Sequence, residues 1–498
     1  MWMNRTNAGS RRSSRARRRL LFAAAFLFVG GVGACDFLDP TDVENPQTTE
    51  EDLATAAEPV RALLPGLRAQ AARLVGSSVT ITEVVSDNYS IQGTGINPIF
   101  DNPRSVGPSV IDGTSAVQGI YWNSQELRAL ADFVLNEIAP QDETATASQT
   151  AEVHYLRGLA YLVQGENFSH VPTELDGQAR PAEELLQRAV TDFEASLGQD
   201  AGGPFAVASR AGLARAHRLL GDGVQATQAA EQVLAADPSF LFTQDFDASS
   251  VVNSPNNYVV QRSLKEMQPL PRLDFLDPKY VGRESPIAVA KAEEMHLIVA
   301  EAALAAGDLD GARERLSDAI QVAESRPVDS WTDDDPRFNT DLTPRPRDSE
   351  ILVRADPDSP FRAGLVLDRP NVEIPVHPVS ATSLSADSVR ALGSEDEVWH
   401  ALHLARQEIL FLEGRRMSDL GIRLPMMLRE IDSNPNVQPG EPGTEPVVPA
   451  YVPSGVQMNQ FDPASPYDQD ENLVTTEVTI GVDMNRVLTE NRVSPFLN

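Results

Sequence analysis

The sequence predicts an all-α-dominated fold: a framework of antiparallel helix pairs that carries long irregular loop lobes. Two observations predict it. Apolar residues recur at three and four over much of the chain after residue 53, and in three places that pattern stops at a turn or insertion and resumes. Between the paired stretches lie Leu241 to Pro286, Pro327 to Ser388 and Asp432 to Glu471, rich in Pro, Asp, Asn and Ser. Such segments are too long for plain connections and are expected to bind something or to pack as lobes.

The first 34 residues read as a lipoprotein signal peptide. Arg11, Arg12, Arg15, Arg17, Arg18 and Arg19 form a positive region, Leu20 to Val32 an apolar one of signal length, and Val32, Gly33 and Ala34 supply the small side chains before a cut. Cys35, the one cysteine in 498 residues, follows directly. It has no disulfide partner, and its position marks it as the site of lipid attachment. Removing residues 1–34 takes away seven arginines and no acid, deepening the net charge from −31 to −38. A surface that acidic repels nucleic acid and anionic headgroups, so the lipid is expected to do the anchoring. No later segment approaches the roughly 18 consecutive apolar residues of a membrane span. Residues 35–52 read as a solvated lipidated tether, and 53–498 as a single helical domain.

The clearest helix pair runs from Pro204 to Pro238. Leu213, Ala214, His217 and Leu220 share a face, Gly221-Asp222-Gly223 breaks the helix, and Ala226, Ala230, Val233 and Leu234 line the next. A second pair, 292–323, repeats the order with Ala300, Ala303, Gly307-Asp308, Ala312, Leu316 and Ala319. Asp308-x-Asp310-Gly311 lacks the later glutamate of a calcium loop and is read as a turn and helix start. The third pair, near 150–198, is split by an insertion, His170 to Arg180. These pairs look like tetratricopeptide repeats, in which small residues let paired helices approach.

Through these pairs and the segments that follow, the chain resembles the SusD/RagB family of outer-membrane nutrient-binding lipoproteins over nearly its whole mature length. Cys35 to Asp39 is similar to the family's start, Thr82 to Asn88 to its early helix, and Trp122 to Ile138 to the next one. The split pair with Val171-Pro172 is typical, and Asp277 to Tyr280 followed by Ala292 to Ala302 resembles the central segment. Arg406 to Leu420 is close to the signature helix, taken as 400–420, and Leu424 to Val437 to the closing element, although Met426 and Met427 replace the usual Ile-Pro. The resemblance implies a non-enzymatic, lipid-anchored protein of the outer membrane, exposed at the cell surface. It implies capture of an oligosaccharide or similar nutrient and delivery to a TonB-dependent, SusC-like transporter barrel. Asp36 departs from this placement, since an aspartate after the lipidated cysteine favours inner-membrane retention in some bacteria.

Candidate site residues follow from residue type. In the signature segment Glu408, Glu413, Arg415, Arg416 and Asp419 are read as an ion-pair and hydrogen-bond brace and not as a catalytic set. His400 and His403, at i and i+3, lack a further Cys or His to complete a metal set, so neither a metal nor a cofactor is expected. Sugars stack on aromatic faces, and the loop aromatics Trp331, Tyr258, Tyr280 and Tyr89 are the candidate ligand contacts, whereas Trp122 and Trp399 lie in helical patterns and are expected in the core. Aromatic content of 6% leaves peptides open as ligands. Two other classes stand beside this reading. An all-helical carbohydrate-active enzyme would need two acids about 5 to 10 Å apart, and an envelope scaffold would need contiguous repeats, which the long loops interrupt.

Overall fold

A computed structural model describes residues 57–91, 98–112, 118–261, 266–332, 346–369, 372–455 and 457–497. They fall within the unit Ala56–Asn498, and the arginine leader, Cys35 and the tether lie outside them.

Helix α1 spans Pro59–Val85, with proline in its first turn, where a missing N–H costs nothing. Every residue from Gly76 to Val85 is buried. Such all-round burial is tolerable where the polar side chains find partners: the hydroxyls of Thr80 and Thr82 donate to the carbonyls of Gly76 and Ser78, each at 2.8 Å, and Glu83 accepts the side-chain amide of Asn88 at 2.6 Å. Helix α2, Ile120–Phe133, packs against α1. Here one expectation is corrected. Trp122 is 56% exposed and its neighbour Tyr121 is 1% exposed, because adjacent helical residues point about 100° apart and only one can face the core.

The three helix pairs form as the spacing predicts. They are α3 (Ala147–Asn167) with α4 (Ala182–Gln199), α5 (Ala206–Leu219) with α6 (Gly223–Ala236), and α7 (Ala292–Ala305) with α8 (Leu309–Glu324). A capping box of Thr146 and Gln149 starts α3. At the two glycine turns, Gly221 and Gly307 adopt φ of 76° and 80°, and Asp222 and Asp308 then cap the second helix by accepting the N–H of Gln225 (3.1 Å) and Gly311 (2.9 Å). The split pair closes around a two-stranded hairpin, β2 (His170–Pro172) with β3 (Ala179–Pro181).

The irregular segments form a scattered set of short strands. β1 (Tyr89–Ile91) pairs with β5 (Met267–Pro269), β4 (Leu241–Gln244) with β6 (Ile287–Lys291), and β7 (Asp329–Thr332) with β9 (Glu373–Val376). A three-stranded sheet joins β8 (Leu352–Arg354), β11 (Glu477–Ile480) and β10 (Phe461–Asp462), with β11 central.

The signature stretch is not one helix from 400 to 420. Helix α9 spans Glu395–Ile409, the chain bends through Leu412 and Gly414 at φ of 56° and 78°, and a single turn, α10, follows at Arg416–Asp419. The bend is buried, so its backbone polar groups need partners. Lys291 donates to the carbonyl of Ile409 (2.7 Å), Lys279 to that of Phe411 (2.8 Å) and Tyr280 to that of Leu412 (2.8 Å), while the Gly414 N–H donates to Glu83 (3.0 Å). Periodicity could not reveal this, because the residues that stabilise the break lie more than 100 positions away.

Candidate functional site

A cleft of about 830 Å³ opens among the irregular segments. The end of β1 and the turn at Pro98–Asp101 form one wall, Arg354 and Pro357 another, and the stretch from Asn459 to Ala464 with Thr479 and Gly481 a third. Asp101, 4% exposed, accepts the Ile91 N–H with both oxygens (3.2 and 3.0 Å) and the side-chain amide of Asn459 at 3.0 Å. Burial dominates its titration and pushes the carboxyl up to about 7, against the pull of those two donors. Asn459 is 1% exposed, and its Oδ1 has no hydrogen-bond partner among the described residues. Arg354 is held from three sides. Its Nε donates to Thr479 Oγ1 (2.7 Å), its Nη1 to the Pro357 carbonyl (2.9 Å), and its guanidinium lies over the Phe361 ring at 4.7 Å. Two of its five N–H groups are used in those bonds, so the rest of a rigid fork is available. Phe461, Ile91 and Pro357 add apolar surface. The half-buried Arg354 guanidinium, the buried Asp101–Asn459 pair and the apolar surface line one cleft, a mix that suits a neutral ligand with many hydroxyls.

Beneath the helix pairs the signature residues form the expected brace, on a larger scale than their own segment discloses. Arg416 makes a two-pronged bond to Asp87 (2.6 and 2.8 Å), Arg406 to Asp419 (3.0 and 2.9 Å) and Arg415 to Glu294 (2.9 and 3.4 Å). Arg215 pairs with Glu166, and Arg218 with Glu301. Glu413 accepts from both Lys279 and Lys291 at 2.6 Å, and Glu408 receives the hydroxyls of Thr382 and Ser383 and the Ser383 N–H. Burial disfavours the charge on Glu294, but Arg415 and Arg215 overcome it and hold the acid down to about 2. Burial opposes Asp419 too, and Arg406 and Arg218 carry it well below the usual carboxylate range. Each acid is thus bonded to a fixed cation or hydroxyl donor, which suits bracing.

No family model matches the sequence, and no curated protein matches it. Solved structures do. A Bacteroides vulgatus ATCC 8482 protein described as sugar binding superposes with a TM-score of 0.50 at 14% identity, covering 77% of this chain and 98% of its own. A SusD/RagB family protein of Bacteroides thetaiotaomicron VPI-5482 gives a TM-score of 0.46 at 12% identity, with coverages of 76% and 94%. A SusD-like carbohydrate binding protein of Bacteroides vulgatus ATCC 8482 gives 0.46 at 13%, with 72% and 83%. The chain shares the fold of the first of these structures.

Within that fold the four aromatics picked from sequence do not form one surface. Tyr89 and Tyr280 are each 1% exposed and belong to the core under the α9–α10 bend, where Tyr89 stacks on Phe411 at 5.6 Å and its hydroxyl meets Asp277 at 3.3 Å. Their burial corrects the expectation that they face a ligand. Tyr258 is half-buried against the main core, and Trp331 is half-buried on β7, opposite Ile374 of β9. Among the described residues the exposed aromatic is Trp122, which helical periodicity assigns to the interior. Of the two histidines, His400 Nε2 meets Asp483 Oδ2 at 2.8 Å, and His403 is buried and stacks on Trp399 at 5.8 Å. Among the described residues no group of three His, Cys, Asp or Glu is placed to hold a metal ion, and no helix is long and apolar enough to cross a membrane. Asp101 and Asn459, the polar core of the cleft, went unnoticed because 358 positions separate them and neither sits in a motif.

Proposed function

We propose that this chain is a cell-surface lipoprotein that captures an oligosaccharide in the loop-lobe cleft and passes it to a TonB-dependent, SusC-like outer-membrane transporter. The observation that carries the reading is the cleft itself. Arg354 and the buried Asp101–Asn459 pair line it together with apolar surface, on a SusD-like helical framework. The solved relatives described as sugar or carbohydrate binding support the ligand class. Capture needs no catalytic residue, and the buried carboxylates of the signature segment are occupied by cations and hydroxyls.

The ligand reading is tested by calorimetric titration with a panel of neutral oligosaccharides. Removing a hydrogen-bonding group from a charged donor costs about 1.5–3 kcal/mol, so Arg354→Ala is expected to weaken the best ligand by roughly ten-fold or more, and Asn459→Ala by a smaller factor. Unchanged affinity in both variants would remove the cleft from consideration. The anchoring reading is tested separately by fractionating membranes from cells that make wild-type protein or Cys35→Ala. Wild-type protein is expected in the outer membrane and the variant in the soluble fraction; recovery of the wild type with the inner membrane counts against hand-over to a transporter.

A further inference from the structure

A second cavity, of about 410 Å³, lies where the end of α5, helix α9, the segment after α10 and the C-terminal loop meet. Its charge balance differs from that of the brace beside it. Arg215, Arg218, Arg406, Arg415 and Arg416 each contact a carboxylate: Glu166, Glu301, Asp419, Glu294 and Asp87. Arg423, in the cavity wall, has none among the described residues; it donates through Nη1 to the main-chain carbonyl of Glu166. Burial, with Arg218 adding to it, pulls its guanidinium below the ordinary arginine range, partly offset by Glu166 and Asp419 at a distance. The other charged groups of the wall are already engaged. Asp419 is shared by Arg406 and Arg218, and Arg492 reaches outward to Glu395 and Asp396.

Beside Arg423 stands His403, 4% exposed, whose Nε2 has no hydrogen-bond partner among the described residues. Burial holds that imidazole neutral down to about 3, so the ring lines the cavity as a neutral group. Ser494 and Asn491 complete the polar lining from the C-terminal loop. An unmade bond at a buried ring nitrogen is costly, and the half-buried Arg423 guanidinium beside it makes no carboxylate contact among the described residues. One small anion would offset both. We propose that this cavity is a binding site for a small oxyanion, held by the Arg423 fork with His403 and Ser494 as further donors. The site is separate from the loop-lobe cleft and does not depend on the nutrient reading.

Inorganic phosphate and acetate serve as probes, titrated calorimetrically into the whole mature protein at constant ionic strength set with sodium chloride. Saturable one-to-one binding of either is expected, with at least ten-fold weakening in Arg423→Gln; the phosphate and acetate arms separate a tetrahedral anion from a carboxylate. His403→Gln is the second variant, expected to weaken binding several-fold, and it serves if Arg423→Gln does not fold. No saturable binding of either anion to the wild type overturns the proposal, as does equal affinity in every variant that folds. Oligosaccharide affinity is expected to stay unchanged in both variants, so failure here and failure of the cleft reading are distinguishable.

Discussion

Glu413→Gln is expected to cost about 3–5 kcal/mol of stability, the range for breaking a buried ion pair from one side. Glu413 is the shared acceptor of two ammonium groups, Lys279 and Lys291, whose side chains are 3% and 0% exposed. Glutamine keeps the shape and one acceptor oxygen but removes the charge, and leaves two cations in the interior. Those cations also hold the carbonyls of the α9–α10 bend, so the loss is expected to spread to the break in the signature segment. Urea unfolding followed by circular dichroism measures it, and Glu413→Gln combined with Lys291→Met is expected to recover part of the loss. A single variant that loses less than about 1 kcal/mol would show that the brace does not stabilise the fold. The pH profile gives an independent reading. Burial lowers Lys279 from its ordinary 10.5 to about 8, with Glu413 pulling it partly back. A lysine lowered on folding destabilises the native state wherever the unfolded chain binds the proton more tightly. Taken alone, Lys279 therefore makes stability rise with pH from about 8 to about 10.5, and removing Glu413 is expected to start that rise at a lower pH.

Gly212→Ala is the second large effect, and its sign is what matters. In an ordinary helix interior the change gains about 0.5–1 kcal/mol. Here a Cβ would stand 2.6 Å from the ring of Phe193, and one at Gly158 would stand 2.9 Å from the same ring. Phe193 is 1% exposed and wedged between α3 and α5 by those two glycines, so it has nowhere to turn. Overpacking of this kind costs about 1–3 kcal/mol, and the net result is expected to be destabilising. Thermal unfolding of Gly212→Ala, Phe193→Leu and the double variant checks it: Phe193→Leu alone destabilises by leaving a void, and together the two changes are expected to cost less than their sum. A stabilised Gly212→Ala would mean that the helices can move apart freely.

The helix pairs were legible because each part of them is local. A period of 3.6, a glycine at positive φ and an aspartate cap three residues from its amide all lie within one turn of each other, as at Gly307, Asp308 and Gly311. The brace was half legible: the charges of the signature segment stand together in sequence, but their partners Asp87, Lys279, Lys291 and Glu294 are distributed along the chain. The break at Leu412 and Gly414 was not legible, since its stabilising donors come from β6 and from the segment around Lys279. Aromatic type misled in both directions. Tyr89 and Tyr280 sit in loop-like sequence yet are packed inside, and Trp122 sits in a helical pattern yet faces out.

By itself the sequence determined that this is a helix-pair protein with an acidic exterior, with turns where Gly-Asp falls and a charged signature segment serving as a brace. Those properties depend on contacts within a few residues or on summed charge. The tertiary structure alone decided where the cleft opens, which aromatics meet solvent, and that Arg423 has no carboxylate contact among the described residues. Each of those depends on residues brought together from distant positions, such as Asp101 with Asn459, and burial is a property of the packed chain that no single stretch contains.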